Sequence, residues 1–175
     1  YGPSTMRLGI EKSRNLMTVR LAQTVGMEKV CKEVEAFGIV DHLPRALSMS
    51  LGAGETTLLR LTTAYAMLVN GGKRVVPTLI DRIQDRKGRT VFRHDNRPCP
   101  QCRTGAWTGA EEVPAVPDTR EQVAEPASAY QMVSMLEGVV KRGTGVRIGR
   151  QIHKPLAGKT GTTNANRDAW FVGYT

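Results

Sequence analysis

Three groups of residues in the 175-residue sequence combine side chains that can do chemistry. Lys159-Thr160-Gly161-Thr162 sets a cation and two hydroxyls around a glycine. On an extended strand, Gly161 removes a side chain where a ligand or another backbone approaches, so the stretch can hold a carboxylate and a carbonyl together. A surface hairpin can contain the same Lys-Thr-Gly, so the tripeptide needs company before it means anything. Ser13 and Asn15 offer a hydroxyl and an amide two residues apart. Cys99 and Cys102 frame a Cys-x-x-Cys in a proline-rich stretch. Without a second cysteine pair or a histidine pair at ligand spacing, that motif argues weakly for zinc, and no thioredoxin-like strand and helix flank it. Two readings stay open: a local disulfide in an oxidising compartment, or thiols sharing a metal with another segment in a reducing one. No metal site and no cofactor is assigned from these residues.

The elements that must position these groups are read from apolar spacing. Ser4 is placed to cap a short helix over 5–12, which Ser13-Arg14-Asn15 interrupts; helical spacing resumes over 16–24 through Leu16, Val19 and Ala22. Gly26 ends that segment, so two helices meet at Ser13 and Asn15. A third helix, 27–37, sets Met27, Val30, Cys31, Val34 and Phe37 on one face, which makes Cys31 a small buried hydrophobe rather than a ligand or nucleophile. Residues 41–54 read as a loop punctuated by Pro44, Gly52 and Gly54. Over 57–70 apolar residues cover nearly the whole circumference, the pattern of a core helix, and Asn70-Gly71-Gly72 closes it. A β-hairpin is predicted over 78–85 and 89–94. Periodicity then disappears over 95–125, a loop or insertion in which Pro98, Pro100, Pro114 and Pro117 discourage regular structure. A second strongly apolar helix, 127–141, ends at Arg142-Gly143-Thr144-Gly145. The chain closes on a strand at 158–163, a polar turn at 164–168 and a strand at 169–174. Helices first and a strand pair last suit an α/β protein of the α+β kind, with helices packed on an antiparallel sheet.

Length and a 40% apolar composition fit one globular domain, 1–175. No uninterrupted apolar run of about 18 residues occurs, and no basic segment followed by an apolar core opens the chain, so neither a membrane span nor a signal peptide is predicted. Opening on Tyr1 and stopping mid-strand at Thr175, the sequence reads as a soluble fragment of a longer protein. A formal charge of +9 raises anionic partners. The densest basic cluster, Lys73, Arg74, Arg82, Arg86, Lys87 and Arg89, is interleaved with Asp81 and Asp85, and Phe92 is the single aromatic nearby that could stack on a base. That is a solvated face, and no nucleic-acid partner is assigned.

Taken together, the motifs resemble a known family. Lys12-Ser13-Arg14-Asn15 with Thr18-Val19-Arg20-Leu21, Leu51-Gly52-Ala53-Gly54, Ala64-Tyr65-Ala66, Asn70-Gly71-Gly72 and Gly143-Thr144-Gly145 carry the likeness through the helical part. Gly158 to Asn164 and Asp168 to Tyr174 carry it through the strands. The combination resembles the transpeptidase domain of bifunctional class A penicillin-binding proteins, whose Ser-x-Asn motif is matched by Ser13-Arg14-Asn15 and whose Lys-Thr-Gly motif is matched by Lys159-Thr160-Gly161. The proline-rich stretch at 95–125 matches nothing in that pattern.

The resemblance implies a fold like that of serine β-lactamases and DD-transpeptidases, and peptidoglycan cross-linking by acyl transfer. A serine attacks the penultimate D-alanyl carbonyl of a stem peptide, expels D-alanine and passes the acyl group to an amine of a neighbouring strand. Stem peptides and β-lactams are the partners it implies. Ser13 would sit in the proton relay, Asn15 would bind the substrate amide, and Lys159 would hold Ser13 and lend positive potential. Thr160 and Thr162 would bind the substrate carboxylate across Gly161, and the Thr162 N–H would supply half of an oxyanion hole. The resemblance further implies a membrane-anchored parent with a glycosyltransferase region, working on the periplasmic side of the cytoplasmic membrane, where a Cys99–Cys102 disulfide is allowed. One motif is missing. The family's Ser-x-x-Lys should precede Ser-x-Asn, and no serine here is followed three residues later by lysine; Ser4 is followed by Arg7. The nucleophile, a last strand and a closing helix are therefore expected outside the chain, which alone is expected to be inactive and, through unpaired sheet edges, prone to self-association. Rival readings are a β-lactamase-like hydrolase, which needs a deacylating carboxylate on an omega loop, and a non-catalytic sensor of β-lactams or muropeptides. A basic nucleic-acid module with a zinc-held loop is the remaining alternative.

Overall fold

The computed structural model describes residues 2–103, 109, 113–163 and 167–175. Its elements assemble on α5, Pro126–Arg142. Pro126 takes the first helical position, where a missing N–H is harmless, and Lys141 and Arg142 in the last turn face the negative end of the helix dipole. Ala129, Leu136, Val139 and Val140 recur at helical spacing on the buried side. Leu136, Val139 and Ala157 form the centre of the core, with Ile10, Tyr65, Leu68, Met132 and Tyr174 packed against it. Four elements lie on α5: α1 (Met6–Glu11), α4 (Leu58–Val69), α6 (Val146–Gln151) and β3 (Ala157–Thr162). β4 (Ala169–Tyr174) pairs antiparallel with β3, Lys159 opposite Val172 and Gly161 opposite Trp170. Helices on an antiparallel strand pair make this the α+β architecture read from the sequence. The polar turn predicted at 164–168 falls in part, at 164–166, outside the described residues.

α2 (Asn15–Val25) and α3 (Met27–Ala36) follow α1, and Cys31 on α3 is buried at 5% exposure with a free thiol. Several boundaries differ from expectation for local reasons. The α1 cap is Thr5, whose Oγ1 accepts from the Leu8 N–H at 3.2 Å, while Ser4 Oγ donates to the Gly2 carbonyl and receives Arg14 Nη1. Leu47–Leu51 is a 3₁₀ turn packed on α2 rather than plain loop. α4 is covered on one side only, by α5 and β4; Ala64 and Met67 are buried while Leu58, Leu59 and Val69 remain about half exposed. Its all-round apolar pattern therefore overstates its burial.

Contacts divide the chain into one unit of 1–75 with 121–175, and another of Val76–Arg120. In the second unit, β1 (Arg82–Gln84) and β2 (Thr90–Arg93) form an antiparallel hairpin. It is shorter than expected because side chains divert the backbone at both ends. Thr78 Oγ1 bonds the Ile80 N–H and carbonyl before β1, and the Asp85 carboxylate accepts from the Lys87 and Arg89 N–H groups in the turn. Farther along this unit Cys99 and Cys102 are joined as a disulfide with Cα atoms 5.3 Å apart, beside a 3₁₀ turn over Pro100–Arg103. Among the described residues, no helix is long and apolar enough to cross a membrane.

Candidate active site

α1 ends in a tight turn that delivers Ser13. Past the C-cap Lys12, the Ser13 N–H donates to the Ile10 carbonyl at 3.1 Å and the Arg14 N–H to the Gly9 carbonyl at 2.9 Å, the two bonds of a Schellman motif. The residue after the cap must then adopt left-handed backbone, a position that glycine usually fills. Here it is serine, with φ of 51°, the one non-glycine residue of positive φ among the described residues. α2 begins two residues later at Asn15, with Arg14 as its N-cap.

Lys159 reaches this turn from β3. Its Nζ donates to Ser13 Oγ at 2.8 Å and to the Thr160 carbonyl at 2.9 Å. An ammonium has donors and no acceptor, so Ser13 Oγ must accept here and keeps its own proton to give elsewhere. Lys159 is half-buried, and burial pushes its pKa below the ordinary lysine value. On the next residue, Thr160 Oγ1 lies 2.6 Å from Thr144 Oγ1. A side chain at Gly161 would meet nothing within 4 Å, so the space beside this strand is open, and Gly161 and Thr162 are both exposed.

The turn that carries Ser13 is clamped to α5 by an ion pair between a buried carboxylate and a half-exposed guanidinium. Glu11 is 3% exposed; Arg142 Nε donates to its Oε2 at 2.9 Å and Nη2 to its Oε1 at 2.5 Å. The Glu11 carbonyl accepts from the Thr144 N–H at 3.1 Å, and Lys12 Nζ donates to the Arg142 carbonyl at 2.7 Å. Two glycines make room for this junction: a Cβ on Gly138 would overlap the Glu11 carboxylate, and one on Gly143 would overlap the Glu11 carbonyl. Motif reasoning did not identify Glu11, Arg142 or the hydroxyl of Thr144 as site residues. The available clue was Gly138, a glycine in the interior of an apolar helix, where it disfavours the helix by about 1 kcal/mol relative to alanine unless something needs the space.

Of the residues singled out by sequence, Ser13 and Lys159 thus meet side chain to side chain, Thr160 joins them through its carbonyl, and Gly161 and Thr162 lie further along the same strand. Asn15 is exposed and lines, with Met6, Ile10, Leu16 and Leu21, an apolar cavity of about 940 Å³. Neither Ser13 nor Lys159 lines that cavity, so it is distinct from the lysine–serine contact. Cys99 and Cys102 belong to the other unit.

With the Ser-x-Asn turn and the Lys-Thr-Gly strand in contact, comparison with known proteins becomes decisive. The whole sequence, residues 1–175, matches the family described as the penicillin binding protein transpeptidase domain. The chain belongs to this family. Its transpeptidase sequence is 44% identical over 177 residues to penicillin-binding protein 1A of Rickettsia bellii (strain RML369-C), across 99% of this chain and 22% of that protein. The crystal structure of penicillin-binding protein 1A from Haemophilus influenzae covers 99% of this chain with a TM-score of 0.79 at 27% identity, over 28% of that structure. Penicillin-binding protein A from M. tuberculosis, solved as an imipenem acyl-enzyme complex, covers 98% of this chain and 38% of its own with a TM-score of 0.70. At 20% identity that likeness shows the fold alone. The transpeptidase chain spans about a fifth of the length of the curated relatives it matches.

Proposed function

We propose that this chain supplies two walls of the acyl-transfer site of a peptidoglycan-cross-linking D-alanyl-D-alanine transpeptidase that β-lactams acylate. The observation that carries the reading is the 2.8 Å hydrogen bond from Lys159 Nζ to Ser13 Oγ, which joins the family's two motifs in one polar contact. Ser13, accepting from the lysine, is oriented to pass a proton between the attacking serine and the leaving amine, a role whose loss typically slows such reactions by about 10²–10⁴-fold. Lys159 holds Ser13 and favours negative charge developing nearby. Asn15 binds the substrate amide, Thr160 and Thr162 its terminal carboxylate, and the Thr162 N–H is one oxyanion donor. Gly161 leaves the strand open to the substrate backbone.

The attacking serine is not among these residues, because the sequence holds no Ser-x-x-Lys. It is supplied by another segment of the protein, together with its own N–H as the second oxyanion donor. Losing one such donor alone lowers turnover by about 10²–10³-fold, and without the attacking serine as well the 175-residue chain by itself is expected to be inactive. We place the working protein on the periplasmic side of the cytoplasmic membrane.

Labelling with a fluorescent penicillin tests this reading. The full-length protein is expected to form an adduct that survives denaturation, at a rate lowered by about 10²-fold or more in Ser13→Ala. The isolated chain is expected to form none. An unlabelled full-length protein defeats the acyl-transfer assignment, and a denaturation-resistant adduct on the isolated chain defeats the assignment of the nucleophile to another segment.

A further inference from the structure

We infer that Glu11 is a positioning residue for Ser13, acting through the two-pronged ion pair that its buried carboxylate makes with Arg142. The inference rests on the acyl-transfer reading above and adds to it a group that belongs to neither motif.

The argument is one of connectivity. Ser13 follows Glu11 by two residues, and Thr144 follows Arg142 by two. Ser13 bonds Lys159 and Thr144 bonds Thr160, which are neighbours on β3. Three non-covalent links and three short chain segments therefore close a ring: Glu11 to Ser13, across to Lys159-Thr160, across to Thr144, back to Arg142, and across to Glu11. Two residues of chain span at most about 7 Å, so a shift at the ion pair has little slack in which to be absorbed before it reaches the Ser13 hydroxyl.

The chemistry of the junction suits placement better than mere adhesion. A guanidinium meeting a carboxylate through two parallel N–H bonds fixes distance and orientation together. For stability alone, an apolar residue at the buried Glu11 position would serve as well or better, because a carboxylate is costly to take out of water. Glu11 is also held by its backbone, through the Thr144 N–H, so the end of α1 is fixed at two points. Ser13 needs that restraint. Its left-handed backbone is intrinsically unfavourable for a residue with a Cβ, so the turn relaxes toward other conformations unless its two flanks are fixed.

The test uses the full-length protein and a mutant cycle. Acylation by a penicillin is followed by intact mass over hours, so that slow variants stay measurable, for wild type, Glu11→Gln, Ser13→Ala and the double variant. Glu11→Gln keeps the shape and removes the charge that grips the guanidinium. It is expected to slow acylation by about tenfold or more, because displacing a catalytic group by about 1 Å can cost about 10²-fold. In the Ser13→Ala background the same change is expected to matter by less than about twofold, since the group it positions is gone. A purely structural clamp would slow both backgrounds equally. That additive result, or a Glu11→Gln rate matching wild type, overturns the inference while leaving the acyl-transfer reading intact. Wild-type protein that is never acylated removes both. Should Glu11→Gln fail to fold, Arg142→Lys keeps the charge and loses the fork; it is run through the same cycle and judged by the same non-additivity.

Discussion

Ser13→Gly is expected to make the protein more stable than Ser13→Ala while disabling it to the same degree. Both substitutions delete the hydroxyl and its bond to Lys159, so that loss cancels between them. What differs is the backbone. At φ of 51°, alanine keeps the steric penalty of a left-handed residue, about 1–2 kcal/mol, and glycine escapes it. Against this, glycine loses more conformational freedom on folding, worth about 0.5–1 kcal/mol. The balance favours Ser13→Gly over Ser13→Ala by about 0.5–1 kcal/mol, a rise in unfolding temperature of at most about 4 °C, smaller as the unfolding unit grows beyond these residues. Calorimetric unfolding of the two variants of the full-length protein, with penicillin acylation measured on the same samples, reads both quantities. Equal stability, or a more stable alanine variant, would refute the claim that function holds serine in a glycine position. So would a glycine variant that acylates at the wild-type rate, because the hydroxyl would then be idle.

Lys159 leads to a pH prediction with opposite signs for stability and activity. Burial lowers its pKa in the folded state, so between the folded and unfolded values the unfolded chain binds more protons and this group's contribution to stability rises with pH. Acylation, which uses the cation, is expected to fall through that same window, on a basic limb below the ordinary lysine range. Lys159→Arg, whose charge persists, is expected to move the limb upward at some loss of rate, and an unmoved limb assigns it to another group. Tyr174→Phe is expected to be neutral or to stabilise by about 1 kcal/mol, because the Tyr174 hydroxyl is buried without a hydrogen-bond partner among the described residues. The same burial, with Tyr65 and Glu137 adding to it, pushes its pKa up to about 12. Urea unfolding decides the point: a loss of stability beyond about 1 kcal/mol would reveal a partner, such as a bridging water.

Where local pattern and tertiary packing agree, the sequence was a sufficient guide. The spacing of Ala129, Leu136, Val139 and Val140 marks α5 because those positions do face the core, and the β-branched and aromatic run at 169–174 becomes the partner of β3. Cys31 lies among apolar neighbours on a helix face and is buried as that pattern implies. Short elements escaped for equally physical reasons. α6 has six residues and an internal glycine, too little periodicity to distinguish from a loop, and it is held in place by packing on α5. Between Ser4 and Thr5, two adjacent hydroxyl residues offered the same cap, and only the position of the Leu8 N–H chooses between them. The Glu11–Arg142 junction was illegible because its partners are 131 residues apart and a charged residue near a helix end reads as surface.

The informative failures are those in which the local rule was sound and the molecule departs from it. A helix followed by a Schellman turn calls for glycine, and α1 has Ser13; an apolar helix disfavours glycine in its interior, and α5 has Gly138; a carboxylate is normally left in water, and Glu11 is buried. Each departure is unfavourable by itself, on the order of 1 kcal/mol or more. Independent departures would be scattered over the fold, yet these three share one junction. Gly138 vacates the space that the Glu11 carboxylate fills, Glu11 fixes the end of α1, and that end sets the turn in which Ser13 meets Lys159. Local sequence preferences that fail together around one polar contact are expected where function, rather than folding, selected the residues. On that logic the junction belongs to the site as much as the two motifs do, although no charge in it need touch a substrate.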